Sequence, residues 1–151
     1  MYSRQEISRL NQEFWTSLGM YMSPIPSAEG QKINWVNYKT EVKYTRLKMW
    51  AEDNKVSLGL YFSHPDEDAS KRWRQLFESL LDVYFYDELP HFKLQEVAGI
   101  IPVSFHYMAE IDNLSIMRKE DWPAMISFLK PRLIHLDAAW INNKELFEML
   151  V

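Results

Sequence analysis

The chain contains no cysteine. Disulfides, thiol nucleophiles and thiolate metal sites are excluded together, and the pattern suits a reducing compartment. Glycine is scarce: four in 151 residues, at Gly19, Gly30, Gly59 and Gly99. They stand too far apart for a GxGxxG turn or a P-loop, which removes those modes of nucleotide binding. No serine stands in a GxSxG elbow. The four histidines, His64, His91, His106 and His135, never pair at ligand spacing, and no HExxH occurs. No apolar run approaches the ~20 residues that span a bilayer. The opening MYSRQEISRLNQEF is polar and amphipathic, without the basic start and apolar centre of a signal peptide. These absences set the first expectations: a cytoplasmic protein, no membrane, no cofactor and no metal.

What the chain has instead is aromatic bulk. Six Trp, eight Tyr and eight Phe accompany eight Met, and 47% of residues are hydrophobic. Most aromatics build cores, but Trp, Tyr and Met are also enriched where proteins meet partners. One domain spanning 1–151 is expected, since a chain of this length buries roughly two thirds of its unfolded surface. Net charge is −4, which argues against a general polyanion binder. The charge is uneven. Residues 1–60 carry eight Lys and Arg against six Asp and Glu, whereas residues 61–100 carry four against eight. A basic face is expected only in the first part.

The periodicity predicts an α+β fold in the order α-β-β-β-α-β-β-α, with a mainly antiparallel five-stranded sheet and helices packed on one face. Ser3 and Glu6 form a capping box for a first helix, whose apolar stripe runs through Ile7, Leu10, Phe14, Leu18 and Met22. Pro24 and Pro26 end it. Strands are predicted over Lys32–Lys39, Val42–Ala51 and Lys55–Ser63, the last two joined by the polar turn Glu52-Asp53-Asn54. A second helix starts near His64-Pro65-Asp66 and buries Ala69, Trp73, Leu76, Phe77, Leu80, Leu81 and Tyr84. Phe92–Ala98 and Ile100–Glu110 predict a hairpin turning near Gly99, with Pro102 on an edge. Asp121 caps a last helix carrying Pro123 in its first turn and Pro131 inside, so that helix is kinked or divided in two.

The segment Ser27–Thr40, SAEGQKINWVNYKT, is the most informative stretch. Read as a strand, Ile33, Trp35, Asn37 and Lys39 share one face, and Asn34, Val36 and Tyr38 the other. Unpaired buried amides are costly, so so many polar groups suggest a contact surface or an internal hydrogen-bonded network. The following strand adds Tyr44, Arg46, Lys48 and Trp50 on one face, a pattern that suits stacked bases and phosphates, or merely long side chains covering a sheet. Glu41-Val42-Lys43 is the one catalytic candidate. An E-x-K on a strand is half of a metal-dependent nuclease signature, and the first six elements match that core's αβββαβ order. That signature, however, belongs on the third strand, after an acid on the second. The acidic runs Asp66-Glu67-Asp68 and Asp87-Glu88 fit solvated faces or helix caps.

Four motifs carry a family resemblance over nearly the whole length: Phe14-Trp15, INWVNYKT at Ile33–Thr40, DWPAMISFLKPR at Asp121–Arg132 and LDAAW at Leu136–Trp140. Together they resemble a bacterial domain of unknown function found as small stand-alone proteins. Similar domains are also appended to restriction-endonuclease-like proteins, which implies an accessory role near nucleic acid. The turn at Glu41 looks more like T-G-V-K in that family, so Glu41 replaces a glycine there. The resemblance carries no catalytic residues. The leading expectation is a non-catalytic binding or interaction module, with Trp35, Asn37, Tyr38, Lys39, Arg46 and Lys48 as its contact residues. Its partner would be a protein or nucleic acid. The alternatives are a divergent or degenerate nuclease-like enzyme using Glu41 and Lys43, and a structural module that forms a homodimer.

Overall fold

Ser3 begins the first helix, α1 (Arg4–Met22), by accepting the Glu6 backbone N–H at 3.1 Å on its hydroxyl. Leu10, Phe14, Leu18 and Met22 are buried along one stripe, while Ile7 at its start is exposed. The computed structural model describes residues 2–81, 83–84, 92–97 and 104–150. After α1 come β1 (Thr45–Glu52), β2 (Lys55–Phe62), α2 (Glu67–Leu81), β3 (Phe92–Val97), β4 (Ser104–Asp112), a 3₁₀ turn at Lys119–Asp121 and α3 (Trp122–Glu148). The four strands form one antiparallel sheet in the order β1-β2-β4-β3.

The sheet thus has four described strands rather than five. Lys32–Lys39 is not a strand. The Asn34 side chain accepts the backbone N–H groups of Val36 and Asn37, both at 3.1 Å, and bends the chain at Trp35–Asn37. A side chain competing for main-chain donors in this way favours a turn over a ladder. The strand predicted from Val42 begins only at Thr45, because Glu41 and Tyr44 both adopt φ of 64°, which interrupts extended backbone. The β1–β2 turn does follow its composition. Asp53 and Asn54 take φ of 53° and 59°, the left-handed pair that a two-residue hairpin requires.

The second helix ends at Leu81, and Tyr84 is exposed rather than part of its buried stripe. The predicted turn near Gly99, together with Pro102 and the acidic pair Asp87-Glu88, lies outside the described residues. Across Pro131 the last helix is a single element, with Pro123 in its first turn. Asp121 sits at the N-cap without a capping bond. Its carboxylate instead accepts Ser115 N–H at 3.0 Å and Arg118 Nε at 2.8 Å.

One face of the sheet carries the core. Val56, Leu58, Leu60 and Phe62 of β2 and Phe105, Tyr107 and Ala109 of β4 are all buried there. Each large apolar side chain so buried contributes about 1.5–3 kcal/mol. Trp73 of α2 lies 4.4 Å from Phe62, 6.1 Å from Phe105 and 5.4 Å from Phe147 of α3, by ring centroids. Both helices therefore cover this face, and α1 packs on α3 through Phe14 and Trp122, 5.5 Å apart. No helix among the described residues is long and apolar enough to cross a membrane.

Candidate functional site

Between α1 and β1 the chain runs without regular structure and forms a strap over the last helix. Its turns are set locally. Gly30 at φ of 81° closes a loop in which Ser27 N–H donates to Gln31 O and Gly30 N–H to Ser27 O. Trp35 points inward, is 2% exposed, and donates its indole N–H to Ile25 O at 2.9 Å. Asn34 and Asn37 stay exposed at the outer bend.

Three residues of α3 hold the strap. Asp137 is buried and uses both carboxylate oxygens: Oδ2 accepts Ala28 N–H at 2.7 Å and Oδ1 accepts the Tyr38 hydroxyl at 2.6 Å. Trp140 donates its indole N–H to Thr40 O at 2.9 Å. The Lys144 ammonium lies 3.3 Å from both Glu29 and Glu41. Spacings of three and four residues put side chains on one helix face, so 137, 140 and 144 form a single row of anchors. They grip the strap at both ends, near 28–29 and 38–41, while Trp35 turns inward at its middle.

Between the strap and α3 is a cleft of about 460 Å³. Ile33, Ile141 and the Tyr38 ring supply its apolar lining, and Gln31, Asn34 and Asn37 place amides around it. Its charged lining consists of Glu29, Glu41 and Asp137 against Lys39. Burial, then the hydrogen bond to Asp137, then the negative charges of Asp137, Glu29 and Glu41 push the Tyr38 phenol far above its ordinary pKa. Burial alone would lower the Lys144 pKa, but its bonds to Glu29 and Glu41 more than reverse this and hold it above the usual lysine range.

The structure divides the six contact residues expected from sequence. Asn37, Tyr38 and Lys39 line the cleft. Trp35 packs beneath the strap as an anchor of its inner side. Arg46 and Lys48 stand on β1 instead, on the sheet face opposite the core, where the Lys48 ammonium lies 4.7 Å from the Tyr61 ring centre and 5.7 Å from that of Trp50. Glu41 and Lys43 fall in the turn before β1, not on a strand, and the Glu41 carboxylate pairs with Lys144. Among the described residues no three His, Asp or Glu side chains gather at metal-binding distance.

Asp137, Lys144 and Ile141 escaped the sequence reading. Their signal was there in part: an aspartate between Leu136 and the alanines of LDAAW, on a helix otherwise apolar at those positions, needs a buried partner. Which partner it meets depends on a strap about 100 residues away in the chain, and helical periodicity contains no such information.

Fold and site define an α+β domain whose irregular strap is locked to the last helix over a cleft. The chain belongs to the DUF4268 family, a domain of unknown function, whose model matches residues 10–144. The matched span takes in the strap and all three anchors. No curated protein and no solved structure matches the chain.

Proposed function

We propose that this domain is a non-catalytic binding module and that the cleft under the strap receives a segment of a protein partner. The observation that carries the reading is the cleft itself, about 460 Å³ with an apolar lining and amides around it, held open by anchors at both ends. Its size falls within the range of sites that take small ligands or a few side chains. Glu29 and Glu41 are already paired with Lys144, and both oxygens of Asp137 are engaged, so the apolar lining from Ile33, Ile141 and Tyr38 favours an aliphatic side chain over a phosphate.

The titratable groups support a non-catalytic role. General acid–base catalysis works best with a pKa near neutrality. Tyr38 and Lys144 are both driven away from it, and both oxygens of Asp137 are engaged in holding the strap. The family resemblance supplies a setting: an accessory to nucleic-acid-processing or defence enzymes in the bacterial cytoplasm.

A phage-displayed peptide library is a suitable probe, selected on the native domain and re-tested on Ile141→Trp, whose indole would fill the cleft. The expected peptides are rich in aliphatic residues, perturb the amide resonances of residues 29–41, and bind Ile141→Trp at least tenfold more weakly. Peptides that bind the variant equally well would falsify the proposal. So would a Mg²⁺-dependent DNA cleavage abolished by Glu41→Ala.

A further inference from the structure

The sheet face turned away from the helices has no cover among the described residues. Its cross-strand rows are fixed by register. Arg46, Tyr61, His106 and Gln95 form one row, and Lys48, Gly59, Met108 and Lys93 the next. Trp50, Ser57 and Glu110 form a third, and Glu52, Lys55 and Asp112 the fourth. The first two rows contain Arg46, Lys48 and Lys93 and no acid. The last two contain Glu52, Glu110 and Asp112 against Lys55 alone. The face is thus divided across the strands into a basic and an acidic half. At its middle Gly59 has no side chain, and a Cβ there would collide with the Tyr107 carbonyl and Met108.

We propose that this face binds a second copy of the same chain, sheet against sheet, about a two-fold axis running across the strands. The charge pattern selects that axis. Rotation about it reverses strand direction and lays each basic half on the partner's acidic half, with β1 over β1. A two-fold parallel to the strands would instead lay basic on basic. In the selected arrangement Arg46 faces the second copy's Glu52, and Lys48 faces its Trp50, an ammonium over an indole. A single-stranded nucleic acid suits this face less well, because half of it is acidic.

The interface is small. Three strands ~4.8 Å apart overlap over four rows ~6.8 Å apart, which gives on the order of 400 Å² per copy among the described residues. That is below the usual size of specific interfaces, so the dimer is expected to be weak and sensitive to salt.

Sedimentation velocity of the full chain from ~5 to ~500 µM tests this. The expected result is a monomer–dimer equilibrium that shifts toward monomer as salt rises. Arg46→Glu and Glu52→Arg, each on an exposed side chain, should weaken it at least tenfold, and the double variant should recover most of the loss. Circular dichroism shows whether each variant is folded. A monomer throughout the range overturns the proposal, as does a dimer indifferent to Arg46→Glu. Binding of fluorescein-labelled oligo-dT by a monomeric chain, lost in Arg46→Glu, assigns the face to nucleic acid and also overturns it.

Discussion

Asp137 ties the strap to the helix more directly than any other side chain, and its effects are open to measurement. It is 2% exposed and accepts one backbone and one phenolic donor. Asp137→Ala leaves both donors without their acceptor, and hydrogen bonds to charged groups are worth about 1.5–3 kcal/mol. A loss of about 3 kcal/mol in urea unfolding is expected, and about 2 kcal/mol for Tyr38→Phe. The same bond makes stability depend on pH. A group whose pKa is raised by folding stabilises while it is protonated. The Tyr38 contribution is therefore complete below pH ~10, where the unfolded phenol begins to ionise, and is lost progressively above it. Lys144, also raised, acts in the same direction over the same alkaline window. The urea midpoint should fall above pH ~10, and fall less in Tyr38→Phe. Glu41 presents the opposite case. Its φ of 64° strains a side-chain-bearing residue, and its ion pair with Lys144 is 66% exposed on the Glu41 side. Left-handed backbone costs roughly 1 kcal/mol without glycine, while an exposed ion pair contributes about half that or less. Glu41→Gly is expected to raise stability by about 0.5 kcal/mol in the same assay. The glycine that the resemblance places at this turn thus has a backbone reason.

Among the elements, the strap and β2 differ in how far their neighbours decide them. The β2 pattern of apolar residues at 56, 58, 60 and 62 reads directly as a strand with one buried face, and the structure agrees. Gly59 within it looks unremarkable in sequence. Only the approach of Tyr107 and Met108 from β4 explains why a side chain is excluded there. Gly59→Ala should therefore cost roughly 3 kcal/mol or more, a large effect for one methyl group, visible as a lowered urea midpoint. The strap shows the converse. Its alternation of Ile33, Trp35 and Asn37 suggests a strand, but among the described residues it joins no ladder, and Asn34 captures the local donors. Its polar groups divide by position: outer amides face solvent, and the ends are bound to α3.

For the whole molecule, the sheet and helices form a stable layer against which the strap is fastened at a few points. Amide hydrogen exchange should reveal this ordering. The β2 amides, paired on both sides by β1 and β4, should be among the slowest. Strap amides 31–34, which have no hydrogen-bond partner among the described residues, should exchange orders of magnitude faster despite the burial of Trp35 beside them. The residue pattern was enough for the α+β class, the three helices, the β1–β2 hairpin and its turn. These follow from periodicity and turn chemistry, which are local properties of the chain. It also marked Tyr38, because a hydroxyl set among aromatics requires a partner. The fold chose that partner, Asp137. It brought Asp137, Trp140 and Lys144 to a strap about 100 residues distant, opened the cleft between them, and separated Arg46 and Lys48 onto another face. Those contacts join positions far apart in the chain, and no local pattern of residues encodes which distant side chain completes a buried charge.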